Sequence, residues 1–531
     1  WASEALCPLI ILAIVVDAAH RVVWATYTDR DIEIYATIAR FWRDGFIPYR
    51  DLYDFKPPLT FVALRAGYAL WGDELQSFWR VILVLTAAGA LTMYAGLRRA
   101  GCCVAAPLAA LGLMTLVVAD PMHIVSLNTE LLAAACGAGA FGCAAAYDRD
   151  HRWWWAIAAG AWMGLATLSK QPAILWLLPV VVQLWLSGAQ GGRWRRLQVA
   201  LMRAALVAAG FAAVGGAVVG YFVYYGAAGA LFSALFVDGA RYLGNPSWKN
   251  LLAPARMSIF RDVMLQEQMW PFVAAVAILV PLTVLRPSRW AVVTWLWLVA
   301  SLAAVMYAPQ TYYHYLILLF PALAMSVGVA FELAVAGTLG PIPGPARRLV
   351  GAALVTVLVY GGVWRAVYPP QTGSTTADET RRQAIGLRIR EAAKPGDTLF
   401  VKDEPYQYYV YAGIPPMTPI IYADYPRPNA RALFLSALDR SPTFISISQT
   451  TQKQLPGTPG TVEALLGKML SESYVLLIDD PNGVVYRRTT HISVASVAAE
   501  GQVEKPPQVG LETLTPTNVT FGFAPPQIDH A

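Results

Sequence analysis

Long apolar runs, separated by short polar loops, occupy the chain from Leu6 to Trp364. Several of them approach the roughly 20 residues that a helix needs to cross a bilayer. The pattern predicts about eleven spanning helices, the first from Leu6 to Trp24. We expect the others near Ser77–Leu97, Cys102–Val118, Thr129–Tyr147, Trp153–Leu168, Pro172–Leu186, Val199–Tyr221, Pro271–Leu285, Trp290–Tyr307, Tyr313–Leu333 and Leu349–Trp364.

Two further helices are predicted between the first and second spans. From Ile32 to Arg43, apolar and aromatic residues recur on one side at helical spacing, which is typical of a helix at the membrane surface. The run from Leu59 to Trp71 is apolar but short, and Arg65 interrupts it. We therefore interpret it as a second surface or re-entrant helix and not as a span.

The chain becomes polar after Trp364, and strands then alternate with helices, which predicts a small α/β domain. The predicted helices cover Thr380–Ala393, Asn429–Leu438 and Val462–Ser471, and the predicted strands cover Thr398–Lys402, Thr443–Ser448, Tyr474–Asp479 and Val484–Arg487. The expected fold is a polytopic α-helical membrane domain at residues 1–368, with an outer loop at 25–75. A C-terminal outer α/β domain at 369–488 and a tail at 489–531 follow it.

Composition excludes a soluble globular protein. Of 531 residues, 56% are hydrophobic and 14% are charged, whereas soluble domains contain about 25% charged residues. The net charge of +6 would suggest nucleic acid binding in a soluble protein. Here the basic residues cluster in short loops, as membrane topology requires, so no nucleic acid partner is predicted. The five cysteines lie in or beside apolar runs, which predicts packing roles for them.

The basic loops also predict an orientation. If Leu59–Trp71 is not a span, five basic loops share one side, which the positive-inside rule makes cytoplasmic. These loops contain Arg98–Arg99, Arg149 with Arg152, Arg193 with Arg195–Arg196, Arg286 with Arg289, and Arg347–Arg348. The outer side then receives polar segments that are far apart in sequence: Asp29–Lys56, Asp120–Glu130, Ser169–Gln171, Gly226–Trp270 and Gln310–His314. Such convergence predicts a functional site.

The first outer loop contains the strongest candidates for chemistry. Asp29 and Asp31 precede the first surface helix, where a carboxylate acts either as a general base or only as a cap of the first turn. Lys56 stands before Pro57 and Pro58, which favour an extended backbone followed by a helix start. This lysine is therefore presented rigidly, either to a phosphate or to lipid headgroups.

These residues also carry a family resemblance. The run Asp31-Ile-Glu-Ile-Tyr35-Ala-Thr-Ile-Ala39 and the run Lys56-Pro57-Pro58-Leu59 resemble a signature of the protein O-mannosyltransferase and lipid A aminoarabinose transferase superfamily. Weaker similarities lie at Asn128–Glu130, Gly164–Pro172, Tyr312–Tyr315 and Phe400–Tyr411. Phe55 departs from the pattern, because some members have an acid there, whereas here Asp54 precedes it. The resemblance implies the GT-C glycosyltransferase fold.

The resemblance also implies an activity. It matches Asp31 to the essential aspartate of the family and Lys56 to the lysine that contacts a lipid-linked phosphate. We expect an enzyme that moves a hexosyl or pentosyl group from a polyprenyl phosphate to a hydroxyl or phosphate of a glycan, lipid or protein acceptor, with inversion. The reaction is expected on the extracytoplasmic face of a multi-pass protein of the inner (plasma) membrane, in contact with membrane lipids.

Further residues are expected to assist this reaction. Asp29 is a second candidate base. Lys56 is expected to be helped at the phosphate by an arginine (Arg241, Arg256 or Arg261) and by Tyr313 or His314. Glu130, Lys170 and Asp54 are candidates for binding donor or acceptor. No cofactor is predicted, since neither GxxxxGK nor GxGxxG stands at a strand-to-helix turn. His123 and His314 could bind a metal together with Asp120 or Glu130, but the histidines are few and widely spaced along the chain, so no metal is predicted.

A flippase or transporter of lipid or polysaccharide, without transferase activity, is the alternative. Such proteins tend to carry charges at the bilayer midplane and to be built from repeated halves with broken helices. In this chain the charges gather at the outer rim, and no internal repeat is found. This distribution favours the transferase.

Overall fold

The computed structural model describes residues 2–21, 30–72, 76–118, 128–188, 192–244, 254–266, 269–285, 287–307, 312–335, 376–403, 405–455, 457–459 and 461–489. The chain divides into two compact units. The helical unit comprises Trp1–Asp29, Lys56–Gly229 and Leu235–Thr375. The mixed unit comprises Arg30–Phe55, Ala230–Ala234 and Thr376–Ala531.

Fifteen α-helices precede the C-terminal domain in the described residues. They are α1 Ala2–Arg21, α2 Arg30–Arg43, α3 Leu59–Trp71, α4 Gln76–Arg99, α5 Ala105–Val118, α6 Thr129–Asp150, α7 Trp153–Ser169, α8 Leu177–Leu186, α9 Arg193–Tyr224, α10 Ala228–Phe232, α11 Gly239–Leu243, α12 Pro254–Met264, α13 Trp270–Leu285, α14 Arg289–Tyr307 and α15 Phe320–Val335. A 3₁₀ segment leads into α8 (Gln171–Trp176) and another into α15 (Tyr313–Leu319), and a π-helical segment (Ser233–Asp238) follows α10.

The predicted spans agree with these helices wherever the chain is described. Each predicted span up to Tyr313–Leu333 coincides with one helix, or with a helix and its 3₁₀ lead. The last, Leu349–Trp364, lies outside the described residues. Among the described helices, five are long and apolar enough to cross a membrane: Gln76–Arg99, Thr129–Asp150, Arg193–Tyr224, Arg289–Met306 and Tyr313–Ala334. The short run Leu59–Trp71 is helix α3, and its place at the membrane surface stays a prediction.

Small residues allow α4 and α6 to approach closely. A Cβ atom on Gly89 would collide with the carbonyl oxygen of Ala135, and one on Gly96 with that of Gly142. Close approach of glycine-bearing faces is a common way for helices to pack in membranes, where dispersion contacts replace the hydrophobic effect. Helix α6 is consequently buried along almost its whole length.

The two ends of α6 are polar and differ in character. Asp148 near its C-terminus forms a bidentate ion pair with Arg289, with 2.7 Å between Nη1 and Oδ1. Glu130 lies in the first turn, at the opposite end. At 1.5 Å per residue, about 27 Å of helix separates the two carboxylates, close to the roughly 30 Å of a hydrocarbon core. We call the C-terminal end of α6 the arginine end, because residues of two basic loops meet there: the loop with Arg149 and Arg152, and the loop with Arg286 and Arg289.

The C-terminal domain of the mixed unit has a four-stranded sheet. Its strands are β1 Leu399–Val401, β2 Phe444–Ile447, β3 Tyr474–Asp480 and β4 Gly483–Arg488, in the order β1-β2-β4-β3. Strands β1 and β2 are parallel, with Phe400 opposite Ile445, and the other pairs are antiparallel. Five helices accompany the sheet: α16 Thr376–Ala392, α17 Tyr408–Ala412, α18 Ala430–Leu435, α19 Gln449–Gln454 and α20 Val462–Ser473.

The predicted α/β domain is therefore confirmed, including each predicted strand and helix. Helices α17 and α19 are short and are additional to the predicted elements. The linker Tyr368–Pro370 and the tail from residue 490 lie outside the described residues.

Segment 30–55, which contains α2, belongs to the same compact unit as the C-terminal domain. The sequence predicted one apolar side for this helix, but Glu33 and Thr37 are buried as well as Ile34, Ile38 and Phe41. The burial of α2 is thus not one-sided as expected, whereas its place at the membrane surface stays a prediction. The reason is that polar groups of α2 find hydrogen-bond partners in the C-terminal domain, which sequence periodicity does not reveal.

Candidate active site

Lys56 is held at the start of α3 by the two prolines that follow it. Pro58 has helical angles (φ −76°, ψ −16°), and its carbonyl accepts the N–H of Val62 at 3.0 Å. The chain therefore turns into the helix directly after Lys56. The Lys56 ammonium lies 5.5 Å from the centre of the Tyr242 ring, within the range of a cation–π contact.

Tyr242 links Lys56 to a second aromatic residue. Its hydroxyl lies 3.2 Å from that of Tyr315, which belongs to the 3₁₀ segment before α15. Burial, reinforced by Tyr315, raises the pKa of Tyr242, so this hydroxyl keeps its proton. The neighbouring Arg241 is occupied by Asp238, with 2.6 Å between Nη1 and Oδ1.

Lys170 forms the second half of the arrangement. It has extended angles (φ −144°, ψ 114°) in the hinge between α7 and the next 3₁₀ segment. Its ammonium lies 4.4 Å from the centre of the Tyr315 ring and 2.6 Å from Oε1 of Glu130. The next residue, Gln171, donates from Nε2 to the Leu235 carbonyl at 2.9 Å, which fixes the hinge against the segment before α11.

Glu130 is the buried acid of the site, with a side chain 1% exposed. Its Oε2 accepts a hydrogen bond from Thr129 Oγ1 at 2.9 Å. Nε2 of His314 lies 3.9 Å from Oε1, and the His314 ring stacks on Tyr312 at 5.3 Å. A buried carboxylate is tolerated when it is paired and hydrogen-bonded, and these contacts supply both conditions.

We call Lys56, Glu130, Lys170, Tyr242, His314 and Tyr315 the lysine–tyrosine cluster. They come from the residues just before α3, the first turn of α6, the α7–α8 hinge, α11 and the 3₁₀ segment before α15. Tyr242 links Lys56 to Tyr315, and the Tyr315 ring lies against the Lys170 ammonium. Two ammonium groups and phenol hydroxyls in a partly dehydrated place are suited to hold a phosphate and to stabilise negative charge that develops on it.

Two predicted residues, Asp31 and Asp54, belong to the mixed unit. Asp31 lies in the first turn of α2, and its Oδ2 accepts from the hydroxyl of Tyr35 at 3.2 Å. Asp54 is 2% exposed and accepts from the hydroxyl of Tyr425 at 3.0 Å. Burial first, and then the Asp54 carboxylate, raise the pKa of Tyr425, which stays protonated and keeps donating.

The remaining predicted residues either take no part in the contacts of the lysine–tyrosine cluster or lie outside the residues that the structure describes. Arg261 lies in α12, two-thirds exposed and paired with Asp262, so its phosphate-binding role stays a prediction. Tyr313 is 44% exposed beside His314. Asp29 and His123 lie outside the described residues, as do Asp120 and the side chain of Arg256. Among the described residues, no three histidine, cysteine or acidic side chains converge as metal ligands.

Sequence reasoning missed Tyr242 and Glu33. The signal for Tyr242 was the polar and aromatic run Asp238–Tyr242 inside an otherwise apolar stretch. Glu33 lies two residues after Asp31, among apolar residues of α2, where an ionised side chain is costly to bury. Neither pattern in the sequence predicts which side chain Tyr242 or Glu33 contacts, and that contact determines the role of each residue.

Comparison with known proteins supports the fold. Residues 55–216 match the family model described as dolichyl-phosphate-mannose-protein mannosyltransferase. No curated protein matches the chain. The crystal structure of ArnT from Cupriavidus metallidurans bound to undecaprenyl phosphate is similar, with a TM-score of 0.62 and 16% sequence identity over 91% of this chain and 98% of that chain. The apo structure of the same ArnT has a TM-score of 0.58 and 16% identity, over 92% and 98% of the two chains.

The matched family segment begins one residue before Lys56 and includes Glu130 and Lys170, and the similar ArnT structures extend over almost all of both chains. The chain is therefore a multi-pass membrane protein with the GT-C fold that its first outer loop predicted.

Proposed function

We propose that the protein is an integral membrane glycosyltransferase that uses a polyprenyl-phosphate-linked sugar as donor. The lysine–tyrosine cluster is the observation that carries this proposal, because it gathers Lys56 and Lys170 beside hydroxyl groups at one end of α6. The similar ArnT structure contains undecaprenyl phosphate, a ligand of the same chemical class.

The charges of the cluster suit the departure of a lipid phosphate. In the transfer, the bond between the anomeric carbon and the phosphate oxygen breaks, and the phosphate leaves with the electron pair. Fixed cations lower the energy of this developing charge. Lys56 is the first of them and Lys170, paired with Glu130, is the second, while His314 can donate a hydrogen bond from its ring. Glu130 keeps Lys170 in place through their ion pair.

The acceptor would be activated by a carboxylate. Asp31 takes the proton of an acceptor hydroxyl as its oxygen attacks the anomeric carbon from the side opposite the phosphate, which inverts the configuration. The Tyr35 hydroxyl orients Asp31 by its hydrogen bond. The acceptor is a glycan, lipid or protein hydroxyl, or a phosphate that needs no such activation.

A reconstituted transfer assay tests the function. Purified protein in liposomes, given polyprenyl monophosphates of several hexoses and pentoses and a mixture of envelope glycolipids, is expected to yield a glycosylated acceptor detected by mass spectrometry. The same sugars supplied as nucleotide diphosphates are expected to yield none. Movement of the intact lipid donor across the bilayer without any transfer product would instead favour the flippase or transporter.

The same proposal places the site on the extracytoplasmic face of the inner membrane. The arginine end of α6 is expected in the cytoplasm by the positive-inside rule, and Glu130 lies about 27 Å along the helix from it. A protein without its native cysteines, carrying one cysteine at exposed Arg43 or exposed Arg193, reports the orientation. We expect an impermeant maleimide to label Arg43→Cys in intact spheroplasts and Arg193→Cys only after lysis. The reverse pattern would contradict the proposed face.

A further inference from the structure

Glu33 makes two contacts of α2 with the C-terminal domain. It stands two residues after Asp31, and its side chain is 1% exposed. Oε2 accepts the backbone N–H of Tyr406 at 2.6 Å, and Oε1 lies 3.4 Å from Nη1 of Arg382 in α16. Each carboxylate oxygen therefore has its own partner, and both partners belong to the C-terminal domain.

Packing alone does not explain an ionised residue at this place. Apolar residues of similar volume often stabilise a core as well as a buried ion pair or better, because desolvation offsets most of the Coulombic gain. The carboxylate does, however, restrict how α2 is oriented against the C-terminal domain. A charge-assisted bond of 2.6 Å to a backbone N–H and a guanidinium on the other oxygen restrict the rotation of α2 about its axis.

The rotation imposed at Glu33 also determines where Asp31 points. Successive helix residues are about 100° apart, so the two side chains leave α2 on roughly opposite sides. Glu33 is held by Tyr406 and Arg382, whereas the half-buried Asp31 lies on another side of α2, where its Oδ2 accepts from the Tyr35 hydroxyl. A shift in the hold on Glu33 would turn Asp31 by the same angle.

Other contacts between segment 30–55 and the C-terminal domain resist sliding of the helix. Nη1 of Arg30 donates to the hydroxyl of Tyr422 at 3.0 Å, at the start of α2. At the other end of the segment, the N–H of Tyr53 donates to the carbonyl of Pro419 at 2.8 Å. These bonds fix the two ends of the segment, and Glu33 sets the angle of the helix between them.

We propose that Glu33, held by Arg382 and by the Tyr406 backbone, is a positioning residue that makes the C-terminal domain set the direction of the Asp31 carboxylate. This inference rests on the proposed role of Asp31 as general base. The C-terminal domain is thereby part of the device that orients the base.

Glu33→Gln tests the inference in the transfer assay with the full chain. Glutamine retains the size of the side chain and an acceptor for Tyr406, but it loses the charge that faces Arg382. A misplacement of about 1 Å can cost about 10²-fold in rate. We expect kcat to fall between about 10-fold and about 10²-fold, while KM for the lipid donor stays unchanged because the lysine–tyrosine cluster is untouched.

Glu463→Gln is the matched control. Glu463 also pairs with a base of the C-terminal domain, at 3.1 Å from Lys402 Nζ, and it is not part of segment 30–55. We expect this variant to keep the wild-type kcat. The double variant Glu33→Gln/Arg382→Met leaves neither partner of the ion pair as a lone charge. We therefore expect its kcat to be higher than the kcat obtained by multiplying the effects of the two single variants. Amide hydrogen exchange of α2 is expected to rise in Glu33→Gln and not in Glu463→Gln.

The outcomes separate this inference from the function on which it rests. A wild-type kcat in Glu33→Gln, with a slow Asp31→Asn, overturns the inference alone. Equal losses in Glu33→Gln and Glu463→Gln, or a loss explained by a lower folded fraction, also overturn it. Absence of transfer by the wild-type protein, or full activity of Asp31→Asn, overturns the proposed base and this inference with it.

Discussion

Asp31→Asn is expected to slow sugar transfer by about 10²–10⁴-fold, the usual contribution of a general base. Asparagine keeps the size of the residue, an oxygen that can accept from the Tyr35 hydroxyl, and most of the capping ability of aspartate. What it loses is the capacity to take a proton. A large loss of kcat with little loss of stability would therefore identify a base and not a cap. The measurement is kcat at saturating donor and acceptor, beside the melting temperature.

Asp44→Asn is the control for Asp31→Asn. Asp44 follows the end of α2 and pairs on the surface with Arg40, and exposed pairs of this kind contribute little. We expect this variant to turn over at the wild-type rate. If Asp31→Asn also turns over at the wild-type rate, the base lies elsewhere, and Asp29 and Glu130 are the next residues to replace.

Lys56→Met is expected to weaken both donor binding and turnover. The substitution keeps a flexible side chain of similar length and removes the ammonium that lies over Tyr242. A hydrogen bond to a charged group contributes about 1.5–3 kcal/mol, which corresponds to about 10- to 150-fold in affinity. The loss in kcat should come in addition, because the negative charge grows on the phosphate as the bond to the sugar breaks. Lys56→Arg keeps the charge but changes its shape, so we expect partial activity.

Two measurements check the role of Lys56. The first is the rise in melting temperature with added polyprenyl phosphate, which a ligand that binds only the folded state must cause. The second is kcat with the sugar-linked donor. Lys402→Met is the control, because Lys402 is also largely buried and paired, with Asp403 and Glu463 in the C-terminal domain. If the melting temperature of Lys56→Met rises with polyprenyl phosphate as much as that of the wild-type protein, Lys56 does not bind the phosphate. Loss of this rise in Lys402→Met would contradict the assignment as well.

Much of the helical unit could be predicted from the chain alone because of a simple physical constraint. Backbone polar groups inside a bilayer must bond within their own segment, so each apolar run of sufficient length has to be a helix. For this reason helices α4, α6 and α9 appear where the hydrophobic pattern places them. The backbone conformation around Lys56 could likewise be predicted, since Pro57 and Pro58 restrict the backbone locally.

The strands of the C-terminal domain were also readable, because β-branched and aromatic residues in short runs favour a pleated, half-buried environment. Strand β2, Phe444–Ile447, is an example, and its alternation with helices is visible in the sequence. Which strands pair with β2 could not be predicted from the sequence. The order β1-β2-β4-β3 depends on which strand edges meet, and local pattern carries no information on that choice.

The sequence by itself thus determined which long apolar runs are helical and which loop carries the acid and the lysine, because those properties follow from local sterics, apolar length and motif. Only the tertiary structure decided which side chains meet. Tyr242 and Tyr315 are 73 residues apart, and Glu33 and Tyr406 are 373 apart. Each pair forms inside one compact unit, because the elements of that unit pack in one arrangement. That arrangement depends on shape complementarity and on buried polar partners over the whole unit.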